Sequence, residues 1–421
     1  MSSKIWSKLS QAISERQNEA IRLTQEMVRR PSFEKEADVQ TFIDQWWRER
    51  GIVPDMWEPD IDELKKSTGF VNVDYDYQGR PNQVIMLKGS GGGHSLTLNG
   101  HVDVVPVEPV PWSYGGPWNP ELKDGKIYGR GSMDMKAGIA VAMIVMDALH
   151  EGGIRLKGDL QLQCVVDEEN GGNGTLAAIL RGYRSDATIF LESTGVDNVL
   201  VSSRGAQFFR ITVPGLESGI EYQFTHPNVI EKAFILFEAV KSYALMRATE
   251  ANHPLYEWDP TRIPSAICKI NAGTWPSTFA AFCVMEGSIE CLPGEDIEKV
   301  KDKFRKFLLQ VAHRDSWMHE HLPVIEYFGL RYEAGETSLE SPFIHQFSNS
   351  YKEVLGKPPM YLGGGGSDLR LPVIYAKSPS ILFGPLGGSI HSTDEYVDIE
   401  SMMKVAQVLG KCILDWCETT D

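Results

Sequence analysis

Short apolar runs alternate with longer stretches of helical periodicity through the first two hundred residues. Residues 10–50 place apolar side chains at helical spacing and are interrupted at Arg30-Pro31-Ser32, which predicts a helix on each side of that break. Strands are expected at 69–76, 83–88 and 95–100, with GSGGGH as the turn between the last two. No helix and no Lys-Ser/Thr follow that turn, so it does not read as a phosphate loop. A small-residue helix, MKAGIAVAMIVMDALHEGG, runs on from Asp134 and closes at Gly152-Gly153. Strand 159–167 comes next, GGNGT opens a helix through Leu180, and strand 187–192 follows. The alternation predicts a three-layer α/β domain with a largely parallel core sheet.

The pattern changes after Ser203-Arg204-Gly205. QFFRITVPG reads as a strand, PNVIEKAFILFEAVKSYAL as a helix, and ICKINAG and FAAFCVMEGSIECLP as two strands. GEDIEKVKDKFRKFLLQVAH reads as a second helix and LPVIEYFGL as a last strand. That β-α-β-β-α-β order is ferredoxin-like. From about residue 335 helix and strand patterns resume, so a domain at 206–334 is expected as an insertion into one made of 1–205 and 335–421.

Length agrees with two domains, since 421 residues exceed a usual single core. Hydrophobic residues at 42% and charged residues at 23% are ordinary for a globular protein. The formal charge of −16 argues against a nucleic-acid groove or an anionic membrane surface. The N-terminus lacks the apolar core of a signal peptide, and no run reaches transmembrane length. Six cysteines without a CxxC pair suggest reduced thiols in a cytoplasmic protein. A small-molecule substrate is the expected partner.

Acidic residues and histidines collect just past the apolar runs. His101 and Asp103 follow SLTLNG and share one side of an extended segment, so one can bind metal while the other lies behind it. Asp134 follows a glycine-rich turn, where a carboxylate can bridge two cations or simply cap a helix. Glu168 and Glu169 end an apolar strand, where adjacent like charges are costly unless something positive compensates them. Neighbours on extended chain point apart, so one can ligate metal while the other acts as a general base. Glu192 ends ATIFLE and His391 follows ILFGPLGGSI. Two imidazoles with several carboxylates suit one or two Zn, Mn or Co ions. In an open α/β sheet, residues past the carboxyl ends of strands face the ligand crevice.

In this order, the segments resemble the co-catalytic metallopeptidase and deacylase family of acetylornithine deacetylase, succinyl-diaminopimelate desuccinylase, aminoacylase and carboxypeptidase G. The resemblance is carried by HVDVVP (101–106), WNPELKDGKIYGRGSMDMKAG (118–138), VVDEENGGNGT (165–175), DATIFLES (186–193) and GGSIHSTDEYV (387–397). It implies that His101, Asp134 and Glu192 hold one metal, that Asp134, Glu169 and His391 hold the other, and that Asp134 bridges them. It also implies that Asp103 orients His101, and that Glu168 takes a proton from water and delivers it to the leaving nitrogen. GGGGSDLRLP (363–372) resembles a further segment near the site, so Asp368 and Arg370 join Arg204 as candidate substrate contacts. The inserted domain would be the family's lid and a homodimer surface. One departure stands out. Relatives carry an oxyanion-stabilising histidine where this chain has Gly219, or Ser218 in a shifted register. His226, before Pro227, is the candidate replacement, against a plain helix N-terminal residue. The lid strand reads GSIECLP where many relatives have an arginine, which places the chain nearest the branch with formylaminopyrimidine deformylases.

The resemblance implies metal-dependent hydrolysis of a C–N bond in a small molecule, with amide cleavage of an N-acyl amine or amino acid as its default. The alternatives are hydrolytic deamination of an electron-poor aromatic amine and cleavage of di- or tripeptides, with Arg370 and Arg204 clamping a terminal carboxylate. A non-catalytic metal-binding scaffold is the competing class. Loss of Glu168 or of a ligand would favour it, and neither is lost.

Overall fold

The computed structural model describes residues 2–420. Strand Leu96–His101 shows how the sequence builds the sheet. Side chains alternate along a strand, so Leu96, Leu98 and Gly100 share one face and Thr97, Asn99 and His101 the other. Leu160–Val165, parallel to it in register, has the same split, with Gln161 and Gln163 beside Thr97 and Asn99. Both faces are buried. The apolar face takes helix Ala137–Glu151, so close that a Cβ on Gly100 would lie 2.6 Å from Ile139. This helix is apolar nearly all round because Ser2–Ser14, Gln17–Val28 and Ile399–Cys417 pack against it as well. The polar face pairs within itself. Gln161 Nε2 donates to Thr97 Oγ1 at 2.6 Å, and Asn99 Nδ2 donates to Gln163 Oε1 at 2.9 Å. His101 ends this polar row.

The chain forms two compact units. The larger runs through Ser202 and takes in Glu336–Leu362 and Ser367 onward. Its sheet runs Asp55–Trp57, Asn82–Leu87, Leu160–Val165, Leu96–His101, Ala187–Phe190, Ser380–Leu382 and Asn198–Ser203. The four central strands are parallel, and the strands beside them, Asn82–Leu87 and Asn198–Ser203, are antiparallel to them. The expected α/β fold with a largely parallel core therefore forms. His101 pairs with Val165, and Asn99 with Phe190, so these strands end together on one side of the sheet. Among the described residues no helix is long and apolar enough to cross a membrane.

Two local expectations fail. Residues 69–76 form no strand. Their backbone is held by side chains instead of a ladder: Val71 N–H donates to Asn173 Oδ1, and Val71 C=O accepts from Asn173 Nδ2. The Tyr75 and Tyr77 hydroxyls turn inward to Asp167. The N-terminal helical pattern also breaks near Arg16, giving Ser2–Ser14 and Gln17–Val28 before Ala37–Arg48. One sheet was not anticipated. Gly387–Gly388, Tyr396–Asp398, Lys126–Tyr128 and Glu121–Lys123 form a small antiparallel sheet. Its strands are too short to show periodicity.

The smaller unit is Ser203–Gly335 with Gly363–Gly366. Its strands Gly205–Pro214, Ser265–Ala272, Phe282–Cys291 and Val324–Tyr332 are interleaved with helices Val229–Glu250 and Ile297–Ala312. The sheet order places the first strand between the third and fourth, all antiparallel, which is the ferredoxin-like arrangement. Phe209, Ile211 and Val213 alternate inward and meet Leu236, Val240, Phe304 and Leu308. Asn228 and Asp296 cap the two helices, accepting from Ile230 N–H and Glu298 N–H.

Candidate metal centre

The larger unit brings four of the expected side chains together around a fifth, Asp134. One Asp134 oxygen lies 3.0 Å from His101 Nε2 and the other 3.0 Å from His391 Nε2. Glu192 is 3.6 Å from His101 Nε2, and Glu169 is 3.2 Å from His391 Nε2. Two groups of three thus share one carboxylate. Asp134 is no helix cap. Lys136 stands at the N-cap of helix Ala137–Glu151, and the two Asp134 oxygens face imidazoles instead of helix N–H groups. His101 is buried, whereas the His391 side chain is 49% exposed, so the cluster opens to solvent on the His391 side.

His101 is oriented through the Asp103 backbone. Its Nδ1 lies 2.9 Å from the Asp103 carbonyl oxygen and 3.6 Å from the Asp103 carboxylate. The carboxylate is engaged elsewhere, accepting the backbone N–H groups of Glu168 and Glu169 at 3.3 and 3.1 Å. The residue behind one imidazole therefore also pins the turn that carries both glutamates.

The turn is braced from below. Asp167, at φ +67, accepts hydroxyl donations from Tyr75 and, at 2.6 Å, from Tyr77. Arg80 lies 3.7 Å from Asp167 and is bidentate to buried Glu36, at 2.9 and 2.7 Å. None of these residues was singled out in the sequence. Tyr75 and Tyr77 share a side at period 2, but nothing local says that their partner lies ninety residues on.

The charges explain the donor set. Burial alone would raise the Asp134 carboxyl, but His101 and His391 hold it far below the usual carboxylate range. Asp134 and then Glu169 push His391 up to about 10. Glu168 is driven well above the carboxylate range by burial and then by Asp368. Burial and the Asp134 charge raise Glu192 as well. A cation is the ordinary compensation for so many buried carboxylates. Donor atoms of His101, Asp134 and Glu169 lie within 4.8 Å of one another. The nitrogen and oxygen donors fit a borderline divalent ion.

The remaining candidates sit elsewhere. Arg370 is fully buried and donates to the Gly171 carbonyl oxygen at 2.9 Å. Asp368 is buried against Gly172, and neither carboxylate oxygen has a hydrogen-bond partner. Arg204 belongs to the smaller unit, where its guanidinium binds Asp259 at 3.0 Å and Glu290 at 2.5 Å. His226, also in the smaller unit, stacks on Tyr222 at 4.8 Å, and its Nδ1 is buried without a partner. Gly219 pairs with Thr278 in a short ladder.

A family model described as peptidase family M20/M25/M40 matches residues 97–415. The N-formyl-4-amino-5-aminomethyl-2-methylpyrimidine deformylase of Halalkalibacterium halodurans is 27% identical over 92% of this chain and 91% of its own. The protein of the same description from Bacillus subtilis is 25% identical over 99% of each chain. Among solved structures, the dipeptidase Dug1p of Saccharomyces cerevisiae matches with a TM-score of 0.75 at 14% identity, over 99% of both chains, a likeness of fold.

Proposed function

The chain belongs to peptidase family M20/M25/M40 and is a metal-dependent hydrolase of C–N bonds, and from that premise we propose that it cleaves the amide of a small N-acyl amine, N-formyl amines first. Hydrolysis is supported above all by Asp134, which has an imidazole at each oxygen. The formyl preference is supported by the two deformylase relatives, which align along nearly the whole chain.

His101, Asp134 and Glu192 would hold one divalent ion, and Asp134, Glu169 and His391 a second, with Zn, Mn and Co all suited to the donors. Such ions, when bound, polarise a carbonyl and bring the pKa of water towards about 7. Glu168 belongs to neither set. Its carboxylate takes a proton from the attacking water as the new C–O bond forms. It then gives that proton to the nitrogen as the C–N bond breaks, releasing an acid and an amine. Burial and Asp368 raise its carboxyl, which suits a group that accepts and returns a proton. Asp103 holds His101 and both glutamate amides in place.

Arg370, Asp368 and Arg204 are the candidate substrate contacts in this reading. His226, which the sequence offers in place of the lid histidine, is the candidate donor to the developing oxyanion. The smaller unit would serve as lid and as the surface of a homodimer. Its helix Val229–Glu250 leaves Phe234 and Leu245 exposed, and Ser265–Ala272 is an edge strand. A cytoplasmic setting, in which its six free thiols stay reduced, completes the proposal.

Product analysis tests it. Mn- or Zn-loaded protein is incubated with N-formyl, N-acetyl and N-succinyl amines, dipeptides and electron-poor anilines. Formate with a free amine is the expected result. Amino acids from the dipeptides alone would make it a peptidase. Ammonia with a hydroxylated ring would mean that water attacks an aromatic carbon.

A further inference from the structure

Glu395 lies four positions beyond His391 and is 1% exposed. Its Oε2 accepts from Arg130 Nη1 at 2.6 Å and Gly131 N–H at 3.0 Å. Its Oε1 accepts from Met133 N–H at 2.9 Å and Asp134 N–H at 3.2 Å. Its backbone carbonyl oxygen accepts from Gly129 N–H at 2.9 Å and the Ser132 hydroxyl at 3.3 Å. One residue of the loop that carries His391 thus collects six donors from the segment that carries Asp134.

That segment needs such a partner. Gly131 has φ +77 and Asp134 is not helical, and the N–H groups of Gly131, Met133 and Asp134 turn to the Glu395 carboxylate instead of to a helical carbonyl. A buried carboxylate that accepts several N–H groups fixes their directions in a way that a single bond cannot. Just after it, Tyr396–Asp398 pairs with Lys126–Tyr128, so the glutamate stands on a sheet and not on a free loop.

We propose that Glu395 is a positioning residue that sets the spacing between Asp134 and His391 and thereby the affinity of the site for divalent metal. The inference rests on the reading of Asp134 and His391 as ligands. Glutamine at this position keeps the size and one acceptor oxygen but turns an NH2 group towards N–H donors.

The test is a Co(II) titration of full-length protein, followed by calorimetry and by the visible absorption of the bound ion, which reports ligand geometry. Glu395→Gln should bind Co(II) roughly tenfold or more weakly, in line with outer partners of metal ligands, and should shift the absorption bands. In the catalytic assay, kcat should fall while KM stays nearly unchanged. A folded variant with wild-type Co(II) affinity and spectrum overturns the proposal, even if its melting temperature drops, because Glu395 then supports only the scaffold. Should Glu395→Gln fail to fold, Arg130→Gln is read the same way: weaker Co(II) binding supports the strut, and wild-type binding overturns it. His391→Ala separates the two levels. If it leaves Co(II) binding intact, the ligand reading itself fails. If it weakens binding while Glu395→Gln does not, only this inference fails.

Discussion

Asp134 Oδ2 and His391 Nε2 lie 3.0 Å apart although 257 positions separate them in the chain. His391 also lies 3.2 Å from Glu169, so removing its ring should open one of the two ligand groups. His391→Ala is expected to carry less metal per chain after dialysis, measured by plasma mass spectrometry. Unchanged stoichiometry would remove His391 from the ligand set.

Glu168 shares its turn with Glu169 but belongs to neither proposed ligand group. Glu168→Ala should therefore retain its metal and lose about 10²–10⁴-fold in kcat, the range for a general acid–base group. Metal content and steady-state rates measured on the same preparation decide the matter. A variant with wild-type turnover would end the general-base assignment.

Next to the turn that carries Glu168 and Glu169, Tyr77 donates to Asp167 at 2.6 Å inside the protein. Tyr77→Phe leaves a buried carboxylate oxygen without its donor. Tyr75 and Arg80 remain nearby, so a loss of about 1–3 kcal/mol in urea unfolding is expected, not collapse. No measurable loss would show that the braced turn finds other partners.

The smaller unit offers a pH test on residues outside the proposed ligand sets. Burial alone would raise the Glu295 carboxyl, but bidentate Arg247, at 2.8 and 2.7 Å, and the Leu292 N–H hold it below the usual carboxylate range. A carboxyl whose folded pKa is depressed stabilises the fold above its unfolded value, near 4.3, and that stability is lost as pH falls through the folded value. Glu295→Gln should thus cost about 1–2 kcal/mol at neutral pH, on the low side because the carboxylate is partly exposed. The gap in melting temperature should close as the pH drops below about 4. A gap that persists in acid would mean that packing and not charge sets the difference.

Much of this protein was legible in its sequence because the relevant signals are local. Period-2 runs such as Leu96–His101 announce buried strands, and the parallel order follows from helices between them. The side chains that meet at Asp134 stand just past those runs, where an open sheet exposes its ligand crevice. The β-α-β-β-α-β order of the smaller unit was equally plain. Tertiary structure alone decided the rest. Residues 69–76 have the composition of a strand, yet Asn173 takes the Val71 backbone groups and Asp167 the Tyr75 hydroxyl in place of a ladder. Asp103 looked like a support for one histidine, and its carboxylate turned out to hold the Glu168 and Glu169 amides. Glu395 was hidden altogether, since its carboxylate is bound by donors more than 260 positions away. Periodicity records which face of an element leaves water. Which buried donor meets which acceptor depends on the completed packing, and no local pattern carries that pairing.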